Sequence, residues 1–346
     1  MRKGLITFIL LATGVALFIF TLKTVGLSKI KEAISLLNFW ELILCLMVLW
    51  LGIVATGALK WWIIIKSRAK KAPSFPRILL VKWIGGSVSY LTPAALFGGE
   101  PVRFYLLKRD NDISSNLIVS SIILDKLILV LVSSVYFFLG IFFLLVYLDL
   151  SWLREIIFLS LLFLIILIFW YLLRVARKIS SEKGLFAILM ERLHLNNLKF
   201  IKRHQQDMFR IEKEVVDFFK MPKKTIVQVI FLSVLEVAFV LGACWLIVFF
   251  MGQRLEIFKL FAIKSIMDIS YVVPFPAALG TLELAQAFTF QVLGFSLAVG
   301  VAFSLILRGL SLIIAFFGLF ILGYLQIRFF GKQIVNFFSR FLPKEM

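Results

Sequence analysis

Two glutamates follow the same four-letter phrase. "PAALFGGE" occupies 93–100 and "PAALGTLE" occupies 276–283, each ending in a glutamate seven residues after the proline. Each copy lies within a stretch otherwise apolar enough to cross a bilayer, where an ionisable side chain costs about 2.5–3.5 kcal/mol on insertion scales and calls for a partner or a task. The ionisable residues at such depth are Glu100 and Arg103 beside the first copy, Asp125 and Lys126 after it, Glu236, then Asp268, Glu283 and Arg308. Mixed carboxylates and cations inside a membrane fit reception of a charged head group, or the binding of protons or cations in transport.

The residues around these charges set local structure. Pro93, and Pro274 with Pro276, remove backbone donors and break a helix, while Gly98, Gly99 and Gly280 permit the turn that follows. Glu100 and Pro101 suit a helix start, because proline at the first position lacks only a donor that would be unpaired anyway. Lys108 and Arg109 suit the end of that helix, and Thr281 is an acceptable N-cap for a second one. Two half-helices then begin within the membrane, and their positive ends converging on one region would favour a phosphate. Glu100 and Glu283 oppose that attraction unless paired, and Arg103 is one helical turn from Glu100. The plainer alternative is that each glutamate only satisfies its own helix start. Asp125 and Lys126 are neighbours about 100° apart on a helix, so at least one faces the protein interior or the surface. Arg308 lies deep in its run and needs an acidic partner among Asp268, Glu283 and Glu236.

The elements that must position these residues follow from composition. The chain has 346 residues, 62% hydrophobic and only 16% charged, with a mean hydropathy of +1.02, against about a quarter charged in ordinary soluble domains. An all-α, polytopic transmembrane bundle in a single domain over 1–346 is predicted. Six full spans are expected at about 4–22, 42–65, 117–147, 155–173, 226–250 and 297–327, each near or above the roughly 20 residues that cross the hydrocarbon core. The first is read as a retained span rather than a signal peptide. Two further stretches, 78–107 and 257–293, carry the PAAL copies and are expected to be broken, re-entrant hairpins. Basic loops at 66–77, 174–224 and the C-terminal tail place both termini on the cytoplasmic side of the cell membrane. The loop at 23–40, with Lys23, Lys29 and Lys31 on the expected outer face, fits this scheme least well. The two hairpins then enter from opposite sides, as in an inverted repeat, unless the recurrence of PAAL is chance. Within 174–224, apolar residues at Met208, Ile211, Val215, Phe218 and Phe219 give a helical period suited to the membrane surface.

The net charge of +19 is gathered in loops, without the interleaved aromatics of a nucleic-acid surface. His194 and His204 lack nearby cysteines or an HExxH pattern, so no metal site is expected. Cys45 and Cys244 sit in apolar runs and imply no disulfide framework. Walker A, GxSxG and dinucleotide fingerprints are absent. No catalytic residue and no cofactor are expected, and transport would not be driven by ATP bound to this chain.

"LTPAALFGGEPVRFYLL", the Asp125–Lys126 pair and "VVPFPAALGTLELAQ" together resemble the lysylphosphatidylglycerol synthase transmembrane domain family over almost the whole chain. The family more often shows Glu-Arg at 125–126 and Gly-Gly at 277–278, where this sequence has Asp-Lys and Ala-Ala. The resemblance implies a flippase-like membrane region that translocates a lipid or lipid-linked group; a soluble synthase domain is not expected after 330. Gly98, Gly99, Glu100, Arg103, Asp125, Lys126, Gly280, Glu283 and Arg308 are the candidate substrate-binding residues, with Glu236 and Asp268 as charge partners. A membrane subunit of lipid-linked glycan or lipid-modifying synthesis, working with a separate synthase or glycosyltransferase, and an ion-coupled small-solute transporter are the alternatives.

Overall fold

The computed structural model describes residues 18–92, 98–109, 113–148, 159, 210, 213–215, 217–218, 221–272 and 278–339, with side chains through 325. The expected spans at 4–22 and 155–173 and the surface segment 174–224 lie largely outside these residues. Pro93, Pro274 and Pro276 lie outside them altogether.

Among the described residues every regular element is helical. After a helical stretch at 18–25, α1 (Leu27–Ser35) is short and amphipathic, burying Ile30 and Ala33. Its successor α2 (Phe39–Trp50) starts where the Asn38 backbone N–H donates to Glu41 Oε2 at 2.7 Å, satisfying an otherwise orphaned donor. It runs through a π-helical turn, Leu51–Thr56, into α3 (Gly57–Lys66). A Cβ on Gly52 would lie 2.7 Å from Phe239 Cβ, and one on Gly57 would lie 3.0 Å from Glu236 Oε1. The glycines of the widened turn thus admit the helix that carries Glu236.

The remaining elements are α4 (Phe75–Leu91), α5 (Glu100–Arg109), α6 (Ser115–Tyr147), α7 (Lys223–Phe250), α8 (Ile257–Val272), α9 (Thr281–Val292) and α10 (Leu297–Ser339). Ser114 caps α6 by accepting from the Leu117 backbone N–H at 3.3 Å. Among the described residues, four stretches are long and apolar enough to cross a membrane: Phe39–Lys66, Ser115–Tyr147, Lys223–Phe250 and Leu297–Leu325. At about 1.5 Å per residue, even the shortest of these exceeds the roughly 30 Å hydrocarbon core.

The element order is written twice. A long apolar helix (α2–α3, then α7) is followed by a helix of 17 or 16 residues (α4, α8), a break, a helix of 10 or 12 residues (α5, α9) and a second long helix (α6, α10). Packing across the two halves is reciprocal: α4 lies on α10, α8 lies on α6, and α7 lies along α2–α3. Each half lends its hairpin's first arm to the other half's last helix, the exchange that a two-fold relation produces.

Small residues make both crossings close, as van der Waals packing in lipid requires. A Cβ on Gly140 of α6 would collide with Ser265 and the Phe261 carbonyl of α8, and one on Gly318 of α10 would collide with Ser87 of α4. A side chain also bonds to backbone across each crossing. Ser265 Oγ donates to the Phe137 carbonyl at 3.0 Å, and Trp83 Nε1 donates to the Ile314 carbonyl at 2.8 Å.

The two hairpins open toward opposite ends of the bundle. Arg77, early in α4, donates to the Leu106 carbonyl near the end of α5 at 3.1 Å, while the Gly99 backbone N–H donates to Ser89 Oγ at 2.9 Å near the bend. The open end of this hairpin lies with the start of α6. At the other end of α6, Tyr147 meets Glu256 at 3.4 Å, and Lys259 in the first turn of α8 lies 5.4 Å from the ring of Phe295, which follows α9.

Candidate functional site

The first break delivers its charges into a buried network shared by five helices. Arg103, one turn into α5, donates from Nη1 to Glu100 Oε2 at 2.9 Å and from Nη2 to Asp125 Oδ2 at 2.8 Å. Lys82 of α4 reaches the same Oδ2 at 2.6 Å. Lys60 of α3 lies 3.1 Å from Asp125 Oδ1 and 2.7 Å from Glu236 Oε2 of α7. Lys126 closes the series on Glu100 Oε1 at 3.0 Å.

Asp125 is the hub, with three cations from three helices on a carboxylate only 1% exposed. Burying charges is repaid only when geometry and hydrogen bonding are good on every side, and this carboxylate is surrounded on both oxygens. The Lys60 contact to Oδ1 is an ion pair without hydrogen-bond alignment, whereas Oδ2 holds the directed bonds.

Arg103 is fixed from its face as well as its edge. Its guanidinium lies 4.0 Å from the Trp61 ring centroid, and Trp61 is held by its own Nε1 bond to Ser121 Oγ at 3.0 Å. Stacking over tryptophan is favourable and orients the planar fork. Gly85 leaves the room: a Cβ there would collide with the Arg103 side chain.

The second break forms a smaller, tighter arrangement. Glu283 is fully buried and accepts from the Gly280 backbone N–H at 2.9 Å and from Arg308 Nε at 2.6 Å. Arg308 Nη2 also donates to the Ala278 carbonyl at 3.1 Å. The N-cap of α9 is therefore Gly280 closed by Glu283, and not Thr281, whose hydroxyl donates back to the Ala278 carbonyl at 3.0 Å. Ala278 adopts φ 51°, a left-handed conformation that costs a residue with a Cβ roughly 1–2 kcal/mol, which is why glycine suits this position better.

The sequence-predicted residues therefore divide into two sets. Glu100, Arg103, Asp125, Lys126 and Glu236 meet in the first, and Gly280, Glu283 and Arg308 meet in the second. Gly98 and Gly99 form the bend before α5, where a Cβ on Gly99 would collide with the Gly85 carbonyl. Around the two half-helix starts, α5 packs on α4 and α6, and α9 packs on α8 and α10, with α4 against α10. Asp268 pairs with Lys264 one turn earlier at 2.5 Å, so Arg308 takes Glu283 from the three expected candidates.

Lys60, Lys82 and Lys264 escaped the sequence reading. Lys60 sits near the basic end of its run, where a long side chain ordinarily snorkels to the interface. Lys82 lies inside the first hairpin and was as anomalous there as Arg103; Lys264 carried the i,i+4 signature with Asp268.

Among the described residues no group of three metal-ligating side chains is close enough to hold an ion. A cavity of about 520 Å³ between α1 and the 296–299 segment is lined by Thr24, Lys29, Glu32 and Ser296. None of the networked charges lines it.

The lysylphosphatidylglycerol synthase TM region matches residues 5–318. A UPF0104 membrane protein of Methanocaldococcus jannaschii is similar to the chain, 25% identical over 328 residues that cover 90% of each sequence.

Proposed function

The chain belongs to the lysylphosphatidylglycerol synthase TM-region family, and from that premise we propose that it is a flippase-like translocase of a lipid or lipid-linked group in the cytoplasmic membrane. The observation that carries this reading is the network around Asp125. It gathers four cations and three carboxylates at the start of a half-helix, and its Glu100–Lys126 edge is part-exposed, at 16% and 29% of the side chains.

A charge network of this size at membrane depth is costly unless it has a use. Arg103 presents a planar fork suited to phosphate oxygens, and Lys126 adds a second cation at the open edge. The repeated element order and reciprocal packing support an inverted repeat in which the two hairpins enter from opposite faces, an architecture that places sites at broken helices near the midplane. With the basic 66–77 loop cytoplasmic, the first hairpin opens to the cytoplasm, the second opens outward, and both termini are cytoplasmic. The chain's own residues bind and pass the group; a separate synthase or glycosyltransferase supplies it.

Proteoliposomes carrying fluorescent-headgroup lipids test the proposal with wild type, Arg103→Ala and Glu283→Gln. Wild type is expected to move anionic or aminoacylated lipids faster than empty liposomes, Arg103→Ala to fall toward the empty rate, and Glu283→Gln, which loosens a closed structural pair, to lose rate only through lost folded protein. Movement by wild type at the empty-liposome rate across the whole lipid panel would sink the reading. Solute flux that follows an imposed ion gradient without lipid movement would favour a small-solute transporter.

A further inference from the structure

We propose that Glu100 is a resident anion seated where a phosphate-bearing group binds, and that such a group displaces it from Arg103 and Lys126. The inference rests on the translocase reading and assigns the seat within it. Each Glu100 oxygen meets a different cation, Oε2 the Arg103 fork at 2.9 Å and Oε1 the Lys126 ammonium at 3.0 Å. Two oxygens of a phosphate monoester or diester reproduce that span, and guanidinium favours such paired acceptors.

The cations stay in place when the carboxylate leaves. Arg103 is held from behind by Asp125 at 2.8 Å and across its face by Trp61. Its Nε is buried without a hydrogen-bond partner, a donor left over in a side chain that is only 3% exposed. Buried polar atoms are normally paired, and this one leaves the fork with donor capacity beyond Glu100 and Asp125.

Charge balance points the same way. Lys60, Lys82, Arg103 and Lys126 oppose Glu100, Asp125 and Glu236, so these seven side chains carry one excess positive charge. Withdrawal of Glu100 raises the excess to two, which an anion then meets.

Asp125 cannot serve this role, because three cations lock it inside. Nor can Glu283, the counterpart of Glu100 in the second PAAL copy: it is fully buried and tied to both Gly280 and Arg308. Of the two repeated glutamates, only Glu100 stands at an open edge.

Calorimetric titration of the purified, detergent-solubilised chain tests the seat. The probes are dihexanoyl phosphatidylglycerol, dihexanoyl phosphatidylcholine and inorganic phosphate. Glu100→Gln is expected to bind dihexanoyl phosphatidylglycerol about tenfold more tightly than wild type, in line with measured couplings of close charge pairs, and Lys126→Ala to bind it more weakly. Phosphatidylcholine, which has no net charge, is expected to gain less.

Glu100→Asp keeps the charge but shortens its reach, and is expected to shift affinity in the same direction by a smaller factor, which guards against misfolding of the glutamine variant. An equal gain with inorganic phosphate keeps the seat and assigns it to the free ion; a gain confined to the lipid assigns it to the head group. If both Glu100 variants bind every probe no better than wild type while wild type still moves lipids, the displacement idea fails and the translocase reading survives. Tighter binding by Glu100→Gln in a protein that moves no lipid retains the seat and removes the translocase.

Discussion

Arg308 holds Glu283 at 2.6 Å inside the bundle, and in the second half it stands where Asp125 stands in the first. Asp125 and Arg308 are 183 residues apart, the interval that also separates Glu100 from Glu283. Equivalent positions thus carry opposite charges. In the first half Arg103 bridges Glu100 to Asp125; in the second its counterpart at the same interval is Gln286, and the cation comes from the long helix instead. One half builds an extended network with an open edge, while the other builds a closed pair that caps α9.

The closed pair should behave as structure. Arg308→Leu alone leaves a buried carboxylate unpaired and is expected to cost about 3–5 kcal/mol, read as a lower unfolding temperature in detergent. Glu283→Leu with Arg308→Leu should recover part of that loss. Recovery stays partial because the Gly280 N–H also loses its acceptor. A double variant as unstable as the sum of the singles would refute direct coupling.

The hub should be the most sensitive single position. Asp125→Asn leaves Lys60, Lys82 and Arg103 around a neutral side chain, at a cost of about 3–5 kcal/mol. Adding Lys82→Met should restore some of the unfolding temperature by removing one stranded charge. Two strictly additive losses would mean that Lys82 and Asp125 do not interact.

Neighbouring glycines on α4 should differ sharply. A methyl at Gly85 meets Arg103, whereas one at Gly86 meets nothing within 4 Å. Gly85→Ala is expected to push Arg103 off Asp125 and to reduce lipid movement toward the Arg103→Ala rate. Gly86→Ala should leave the rate within about twofold of wild type, since surface changes away from such contacts usually stay within about ±0.5 kcal/mol.

Relieving the left-handed alanine should help. Ala278→Gly removes the steric cost at φ 51°, against the extra entropy of a glycine in the unfolded chain. A net gain of about 0.5–1 kcal/mol is expected, visible as a raised unfolding temperature. A fall would show that the buried methyl outweighs the strain.

The proposed sidedness can be read by labelling. Both native cysteines are buried, so introduced ones report cleanly. Arg254→Cys and Ser296→Cys should react with an impermeant maleimide on intact cells, whereas Lys71→Cys and Arg109→Cys should react only after permeabilisation. Labelling of Lys71→Cys and Arg109→Cys on opposite sides would contradict a first hairpin that returns to the face it left.

Hydropathy and local backbone chemistry set the material of this protein. Long apolar runs bounded by basic loops can satisfy their backbone in a membrane only as helices, and all four long stretches in the described residues fall where the runs predict. Glycine beside the PAAL copies marked the turns into α5 and α9, because its backbone freedom is local. The i,i+3 pairing of Glu100 with Arg103 was legible for the same reason.

Which charges share a pocket was decided only by tertiary structure. Lys60 and Glu236 are 176 residues apart and meet because Gly52 and Gly57 let α7 close on α2–α3. Asp125 acquires Lys60 and Lys82 because three helices converge there, and a pairing that spans helices leaves no periodic trace in a single chain. The two glutamates looked alike in sequence because spacing records only the break. Whether each stands at an open edge or a sealed one depends on which neighbour packs across it.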